Sequence, residues 1–145
     1  MMPAATKAGG ECLATPDTCH IPAPPPPAGP GGIPTPFPNT AMLNSADKCS
    51  TKVLFENKGG CVEDSEVATT HGDEAGVSNL PTPKGLVSQK NMGKMVFKTH
   101  SSKVKIEGKG IVVHTATTAH NGDGNANMPA GTHLSPSQTK ILAAT

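Results

Sequence analysis

Short apolar runs separated by glycine and charged residues mark β-strands in the second half of the chain. Residues 94–99 hold a Met-Val-Phe run between lysines, and residues 103–107 alternate apolar and charged side chains. Alternation with a period of two is typical of a half-buried strand. Glycines at positions 108 and 110 then precede an apolar run at 111–114, which predicts a β-hairpin.

A weak internal repeat relates residues 52–59 to residues 103–110. Their sequences are Lys-Val-Leu-Phe-Glu-Asn-Lys-Gly and Lys-Val-Lys-Ile-Glu-Gly-Lys-Gly, and a loop with Thr, His, Gly and Asp follows each copy. The two copies predict β repeats within residues 50–145, with chance similarity between hairpins as the alternative. A last short strand is expected at 139–142. Since no segment sustains a 3.6-residue apolar period, we predict an all-β fold with little or no helix.

Residues 1–40 are rich in proline, with four consecutive prolines at positions 24–27. Proline cannot donate to a hydrogen-bond ladder, so helix and central strand are both excluded there. Ile21, Ile33 and Phe37 are spaced like anchors of an extended segment that wraps the rest of the protein. The alternative is a disordered linker, the usual state of proline-rich tracts. We treat residues 1–145 as a single domain.

The composition limits the size of the hydrophobic core. Apolar residues make up 34% of the chain, with no Trp, no Tyr and only three Phe. Large aromatic side chains normally dominate core burial, so the fold needs another source of stability. The net charge is +1 and all basic residues other than histidine are lysines, which argues against a nucleic-acid partner.

The cellular compartment is predicted from the absence of targeting and membrane-spanning segments in this sequence. The first residues contain no apolar stretch of signal-peptide length, and no run approaches the roughly 20 apolar residues of a membrane span. We therefore expect a cytoplasmic protein that, if exported, uses a route that reads no signal peptide. In that compartment the four cysteines, Cys12, Cys19, Cys49 and Cys61, favour metal binding or free thiols over disulfides.

Histidines and cysteines are the candidate metal ligands. A structural zinc ion takes four nitrogen or sulfur ligands in a closed tetrahedral site. His114 ends a predicted strand and His120 follows six residues later, so both can converge on one ion with a distant cysteine. Because the spacing is not that of a zinc knuckle, exposed histidines and buried free thiols are the alternative.

Catalytic patterns are weak in this sequence. Asp73 and Glu74 are neighbours between glycines at 72 and 76, which is typical of a turn rather than of two facing catalytic carboxylates. No Gly-x-Ser-x-Gly motif occurs, and residues 135–140 have no partnered base nearby. A thin core is also a poor scaffold for a rigid cleft. We therefore predict that the protein is not an enzyme.

The order of several motifs resembles that of a known family. In chain order these are Pro-Asp-Thr-Cys at 16–19, Pro-Ala-Pro at 22–24, Ala-Gly-Pro at 28–30, Ile-Pro-Thr-Pro-Phe-Pro-Asn at 33–39, Gly-Asp-Glu-Ala-Gly at 72–76, Gly-Leu-Val-Ser at 85–88, Val-Lys-Ile-Glu-Gly-Lys at 104–109, Thr-Ala-His-Asn at 118–121 and Pro-Ser-Gln-Thr-Lys at 136–140. Together they resemble the PAAR-like family of type VI secretion spike-tip proteins over nearly the whole chain. The Pro-Ala-Ala-Arg signature that names the family is absent, since the chain has no arginine.

This resemblance implies a small conical all-β fold that sits on a trimeric VgrG-type spike, with one tip for each trimer. It also implies one bound zinc ion, for which Cys19, His114 and His120 match the family's ligands by position. His71 is the first choice for the fourth ligand. Its alternatives are Cys12, His20 and His133.

The implied function is a structural tip that aids puncture of a target membrane and connects an effector or adaptor protein to the spike. The protein would be cytoplasmic before firing and would then enter the extracellular space or a target cell. Three other readings stay open: a small toxin or enzyme, a proline-rich adaptor that folds on its partner, and a secreted module with disulfides. The last would pair Cys12 with Cys19 or Cys49 with Cys61.

Overall fold

The computed structural model describes residues 1–21, 33–74, 85–122 and 125–145. The strands, in chain order, are β1 (Met2–Pro3), β2 (Glu11–Ile21), β3 (Ile33–Met42), β4 (Ala46–Asp47), β5 (Leu54–Phe55), β6 (Lys58–Gly59), β7 (Glu66–Val67), β8 (Met95–Phe97), β9 (Lys105–Ile106), β10 (Lys109–Gly110), β11 (Thr117–His120), β12 (Met128–Ser135) and β13 (Leu142–Ala143). Within the described residues, helical structure is limited to a 3₁₀ turn at Leu43–Ser45 and to Glu74, which is in 3₁₀ conformation at the end of a described range. The predicted all-β fold is therefore confirmed. None of the described segments forms a helix that is long and apolar enough to cross a membrane.

Seven strands form one antiparallel sheet in the order β3-β2-β12-β11-β8-β7-β4. The edge strand β3 carries prolines at positions 34, 36 and 38. Thr40, which has the same parity in β3, directs its N–H away from β2, to the carbonyl of His71 at 2.6 Å. The prolines therefore occupy positions where the missing N–H removes no bond to β2, which explains why an edge strand tolerates them.

The exclusion of a central strand from residues 1–40 is wrong for β2. This strand lies between β3 and β12, and its one proline, Pro16, falls at a break in register. Ala14 pairs with Asn39 whereas Asp17 pairs with Phe37, so β2 has one residue more than β3 across this interval. A proline in such a bulge removes no ladder bond.

The predicted wrapping segment is only partly described. Of its three anchors, Ile33 is exposed and the other two are half-buried, so Ile33 does not act as an anchor. The four consecutive prolines at 24–27 lie outside the described residues.

Three two-stranded ribbons complete the fold, and each leads into a short segment that pairs with the other two segments. β5–β6 leads into residues 60–62, β9–β10 leads into residues 111–113, and β13–β1 leads into residues 4–6. Bridges join Ala4 to Val113, Thr6 to Gly60 and Val62 to Ile111. These three segments close a triangle, and we call the ribbons and the triangle the three-ribbon region.

The repeat found in the sequence has a third copy in the structure. Equivalent hydrogen bonds run from the Ser50 N–H to the Gly60 carbonyl (2.9 Å), from the Ser101 N–H to the Ile111 carbonyl (2.8 Å) and from the Gln138 Nε2 to the Ala4 carbonyl (2.8 Å). The third copy joins β13 to β1, so its two strands come from opposite ends of the sequence. This is why a search for consecutive repeats finds only two.

Both consecutive ribbons are hairpins with two-residue turns. Glu56 and Asn57 have φ values of 50° and 64°, and Glu107 and Gly108 have values of 51° and 82°. Positive φ at both central residues defines the type I′ turn, whose twist matches that of paired strands. The hairpin predicted around residues 103–114 is confirmed, but its return strand is β10. Residues 111–113 instead belong to the triangle.

Two apolar clusters are built mostly from small and aliphatic side chains. The larger contains Ala5, Cys12, Ala41, Leu43, Ala46, Cys61, Val67, Met95, Phe97, Val112 and Ala116. The smaller lies in the three-ribbon region and contains Ala4, Ile111, Val113 and Ala143, with Met2, Phe55, Val104, Ile106 and Ile141 packed against them.

Candidate metal centre

The candidate centre begins at the second half of β2, where the bulge changes which residues face inward. Before the bulge the even-numbered Cys12 and Ala14 are buried, and after it the odd-numbered Asp17 and Cys19 are buried. Side chains of a strand alternate between its two faces, so one extra residue transfers the odd positions to the buried face. The bulge therefore places a carboxylate and a thiol side by side in the interior.

Asp73 brings a second carboxylate to the same place. The preceding Gly72 has a φ of 119°, and an added Cβ would clash with the carbonyl oxygen of Pro38. Only glycine therefore lets the backbone at position 72 lie this close to β3. The Sγ of Cys19 lies 3.7 Å from Oδ2 of Asp73 and 4.0 Å from Oδ1 of Asp17. Asp17, Cys19 and Asp73 are fully buried, and one ligand atom from each lies within 4.8 Å of the others.

Three asparagine amides hold the carboxylate of Asp17. The Nδ2 of Asn39 donates to Oδ2 at 2.9 Å, the Nδ2 of Asn121 donates to Oδ2 at 3.2 Å, and the Nδ2 of Asn127 donates to Oδ1. Asn121 also donates to the Sγ of Cys19 at 3.7 Å. These neutral donors satisfy the buried acceptor without cancelling its charge.

Burial and negative charge both oppose deprotonation in this group. Desolvation, followed by the charges of Asp17 and Asp73, raises the pKa of Cys19 to about 12. Desolvation is also the main cause that raises the pKa of Asp73 to about 6, while the N–H of Met92, 3.0 Å from Oδ2, acts in the opposite direction. A divalent cation would reverse both effects, because it favours the thiolate and the carboxylate.

His120 is linked to the group through Asn39. Its Nδ1 lies 2.8 Å from Oδ1 of Asn39, and its Nε2 lies 2.9 Å from Oγ1 of Thr118. Asn39 directs its amide nitrogen to Asp17, so its oxygen accepts from Nδ1–H, and Nε2 accepts from the threonine hydroxyl. Burial lowers the pKa of His120 to about 4, so the ring is neutral. Both ring nitrogens thus have protein partners other than Cys19.

The side chains present fit a metal ion. Ligand atoms in a tetrahedral zinc site lie about 3.3–3.8 Å apart, given metal–ligand bonds of about 2.0–2.3 Å. The two sulfur–oxygen distances of 3.7 and 4.0 Å are close to that range. Thiolate and carboxylate are both zinc ligands, and amides that hydrogen-bond to them are a common surrounding of such ligands. The group could therefore hold a metal with little rearrangement.

The residues predicted as ligands lie in different surroundings. Cys19 belongs to the group of three, and His120 reaches that group through Asn39. The side chain of His71 is exposed, with its Nδ1 3.3 Å from Oε1 of Glu74. His114 donates from Nε2 to the carbonyl of Leu134 at 2.9 Å. The set of Cys19, His71, His114 and His120 stays a prediction.

The alternatives for the fourth ligand are also spread out. Within the described residues, Nδ1 of His20 and Nε2 of His133 are buried without a hydrogen-bond partner. The ring of His133 meets that of His114 edge-on, with centroids 5.5 Å apart. Cys12 lies in the larger apolar cluster. Of the His, Cys, Asp and Glu side chains in the described segments, those that group at metal-binding distance are Asp17, Cys19 and Asp73.

Sequence reasoning missed the two carboxylates as partners of Cys19. The turn predicted around Asp73 and Glu74 is formed by Glu74, whose Oε2 accepts from the N–H of Gly72 at 2.8 Å. Asp73 instead accepts from Met92, 19 positions away. The available signal was the Asp-x-Cys spacing at 17 and 19, which puts both side chains on one face of a strand.

Comparison with known proteins supports the resemblance seen in the sequence. The family model described as "Toxin PAAR-like domain" matches residues 10–130. A curated relative, "DNase toxin Tse7" of Pseudomonas aeruginosa, is 34% identical over 129 residues, which cover 88% of this chain and 32% of the relative. The chain thus spans about a third of the length of that relative. No solved structure matches significantly.

The prediction that the protein is not an enzyme is wrong, because this relative is named as a DNase toxin. That prediction rested on missing catalytic motifs and on a thin core. Neither feature excludes DNase activity. The name assigns that activity to the relative, and the chain covers 32% of it.

Proposed function

Because the chain belongs to the PAAR-like toxin domain family, we propose that it forms the tip of a type VI secretion spike and caps a trimeric VgrG-type protein. The tip would leave the cell with the spike and contact the target membrane transiently. It would connect an effector or adaptor protein to the spike. The observation that carries the proposal is the threefold repetition in the three-ribbon region.

A single chain on the axis of a trimer meets three copies of one surface. The three-ribbon region offers a matching arrangement, since its three ribbons lead into three segments that pair in a closed triangle. In each copy, an N–H group donates to the carbonyl of the first residue of its triangle segment; the donor is a backbone N–H in two copies and the side-chain amide of Gln138 in the third. This repetition supports a binding ratio of one tip to three spike chains.

Exposed apolar side chains also support the three-ribbon region as the surface that binds the spike. Leu54 on β5 and Leu142 on β13 are 51% and 46% exposed, and they are the last residues of the similar sequences Lys-Val-Leu and Lys-Ile-Leu. The equivalent residue of the third ribbon is Lys105. Leucines at matching positions of two ribbons are the kind of contact that a partner covers in an interface.

We also propose that one zinc ion is held by Asp17, Cys19 and Asp73. All three are fully buried, as expected of a structural ion rather than of one that must reach a substrate. A fourth ligand completes the site, and the histidines predicted from the sequence are the candidates for it. Bound there, a zinc ion would be held by residues of β2 and of the loop after Gly72, and it would offset two of the three negative charges of the thiolate and the two carboxylates.

Binding of the purified chain to its spike trimer tests the capping proposal. We expect Leu54→Glu to weaken binding at least about tenfold, since it buries a charge in the interface. Leu86→Glu is the matched control: Leu86 is 52% exposed, and its N–H donates to the carbonyl of Thr18 beside the candidate metal centre. Equal effects of both variants, or no binding by the unmodified chain, would contradict the proposal.

DNA cleavage is a second candidate function, favoured by the name of the relative. Incubation of the chain with supercoiled plasmid and Mg²⁺ tests it, with a chelator as the control. Cleavage that the chelator stops would assign the activity to this chain. An intact plasmid would show that this chain does not cleave DNA by itself under these conditions.

A further inference from the structure

We propose that Cys49 and Cys61 form an intramolecular disulfide in an oxidising compartment and stay as free thiols in a reducing one. Formation of the bridge does not depend on the proposed function. Only its timing, on export with the spike, rests on that function. The bridge would tie the loop between β4 and β5 to the triangle segment that follows β6.

The backbone already holds the two cysteines opposite each other. Their Sγ atoms lie 3.9 Å apart, although the residues are 12 positions apart in the sequence. The adjacent residues Ser50 and Gly60 exchange hydrogen bonds: the Ser50 N–H donates to the Gly60 carbonyl at 2.9 Å, and the Gly60 N–H donates to Oγ of Ser50 at 2.7 Å. Closing the bridge therefore requires rotation of two side chains and little backbone movement.

Cys49 is suited to react first. It is half-buried, whereas Cys61 is fully buried. The hydrogen bond with Cys61 is the largest cause that lowers the pKa of Cys49 to about 7, and Ser65 and Lys7 add to it against burial and Asp47. The Oγ of Ser65 donates to the Cys49 sulfur at 3.8 Å. The thiolate is the form that attacks a disulfide, so Cys49 is the nucleophile of the pair.

The other nearby thiol is not a competitor. Burial, followed by the charge of Glu11, raises the pKa of Cys12 to about 12. The pKa of Cys61 is also raised, first by its hydrogen bond with Cys49 and then by burial. Cys61 therefore acts second, once a sulfur–sulfur bond has formed next to it.

The oxidant is a small disulfide such as oxidised glutathione. The Cys49 thiolate attacks one of its sulfurs, forms a mixed disulfide and releases one glutathione thiolate, which takes up the proton that Cys49 gave to water. Cys61 then attacks the Cys49 sulfur, its proton passes to the second glutathione thiolate, and that glutathione leaves. Two thiols are oxidised to one disulfide, and one disulfide is reduced to two thiols.

The bridge gives a stability that appears only outside a reducing compartment. Thiols stay reduced in the cytosol and are oxidised in extracellular or periplasmic surroundings. A cross-link over a loop of this length removes conformational freedom from the unfolded chain. A protein with two small apolar clusters gains much from such a link.

Incubation of the purified chain with oxidised glutathione at pH 8 tests the proposal. After acid quenching, denaturation and alkylation, mass spectrometry should find a linked pair of peptides with Cys49 and Cys61, and alkyl groups on Cys12 and Cys19. The melting temperature should rise by roughly 5–10 °C. Dithiothreitol should reverse the rise.

Two variants separate the bridge from general stability effects. Cys61→Ala should leave glutathione attached to Cys49, because the resolving thiol is gone. Cys12→Ala, in the same apolar cluster, should still form the bridge. Four alkylated cysteines in the oxidised wild-type chain would overturn the proposal. Linkage of Cys49 to Cys12, or between two chains, would overturn it as well.

Discussion

The three-ribbon region and the candidate metal centre are stabilised by different interactions. In the three-ribbon region, hairpins with two-residue turns pack apolar side chains such as Ile111 and Val113 together. At the metal centre, fully buried polar side chains contact each other across as many as 104 positions of sequence. The first region gains free energy from apolar burial, whereas the second depends on complete pairing of hydrogen-bonding groups.

Because of this difference, a change of pH or the removal of one side chain should affect the stability of the two regions differently. Apolar packing is independent of pH, and its loss scales with the side-chain volume removed. A buried polar network is strong when every group is paired and weak when one member is removed, because the others lose their partner without gaining water. A protein with small apolar clusters therefore relies on its polar centre as a second core.

Removal of the Asp17 carboxylate should have the largest effect. Asp17→Ala leaves the amides of Asn39, Asn121 and Asn127 without their shared acceptor. We expect the free energy of unfolding to fall by about 3–5 kcal/mol and any bound zinc to be lost. Urea unfolding and elemental analysis measure the two effects.

An exposed aspartate provides the control for this variant. Asp47→Ala, on β4, should change the free energy of unfolding by less than about 0.5 kcal/mol and leave the metal content unchanged. A similar, small change for both variants would show that Asp17 does not hold the centre together.

Truncation in the three-ribbon region should have the next largest effect. Ile111 is 1% exposed, and Ile111→Ala should lower the free energy of unfolding by about 2–4 kcal/mol through lost burial and a cavity. The loss should be the same with and without zinc, because the apolar cluster contains no proposed ligand. Dependence of this loss on zinc would mean that the two regions are not separate.

A change of pH should affect the polar centre through His120. Burial lowers the pKa of His120 to about 4, against about 6.5 in an unfolded chain, so between these values the unfolded state binds the extra proton. The contribution of His120 to the free energy of unfolding should therefore fall by about 2–3 kcal/mol as the pH drops from about 6.5 to about 4. The raised pKa of Asp73 acts in the opposite direction over the same range, because the folded state then binds the extra proton. Above about pH 7 this histidine has no effect.

Urea unfolding of His120→Gln at several pH values isolates this effect. Glutamine keeps a donor and an acceptor for Asn39 and Thr118 but does not titrate. As the pH falls below 6.5, the free energy of unfolding of the variant should therefore rise relative to that of the wild type. His71→Gln, at an exposed histidine, is the control and should follow the wild-type profile. If the profile of His120→Gln also matches that of the wild type, the pKa of His120 does not differ between the folded and the unfolded protein.

The ribbons could be predicted from the sequence because their signals are local. The strands around Leu54 and Lys105 each combine a short run of β-forming residues with a turn that begins within two residues. The third ribbon could not be predicted in this way, since β13 and β1 meet only after the chain has folded. Its similarity to the others is limited to Lys140-Ile141-Leu142, too short to recognise without the pairing.

The longest strands and the metal centre were the hardest to predict. β12 contains Pro129 and Gly131, and an added Cβ at Gly131 would lie 2.6 Å from Oγ1 of Thr118 and 2.9 Å from the Cβ of Ala14. Close packing of β12 against its neighbours thus requires a residue that weakens the strand signal. The bulge in β2, which decides that Asp17 and Cys19 face inward, is likewise invisible in a pattern of alternating residues.

The ratio of tip to spike chains tests the central claim most directly. Native mass spectrometry of the complex with the spike trimer should give the mass of one tip and three spike chains, because the three-ribbon region offers three similar contacts from a single chain. A complex with three tips for each trimer would show that each spike chain binds its own copy. That result, or the absence of any complex, would contradict the account.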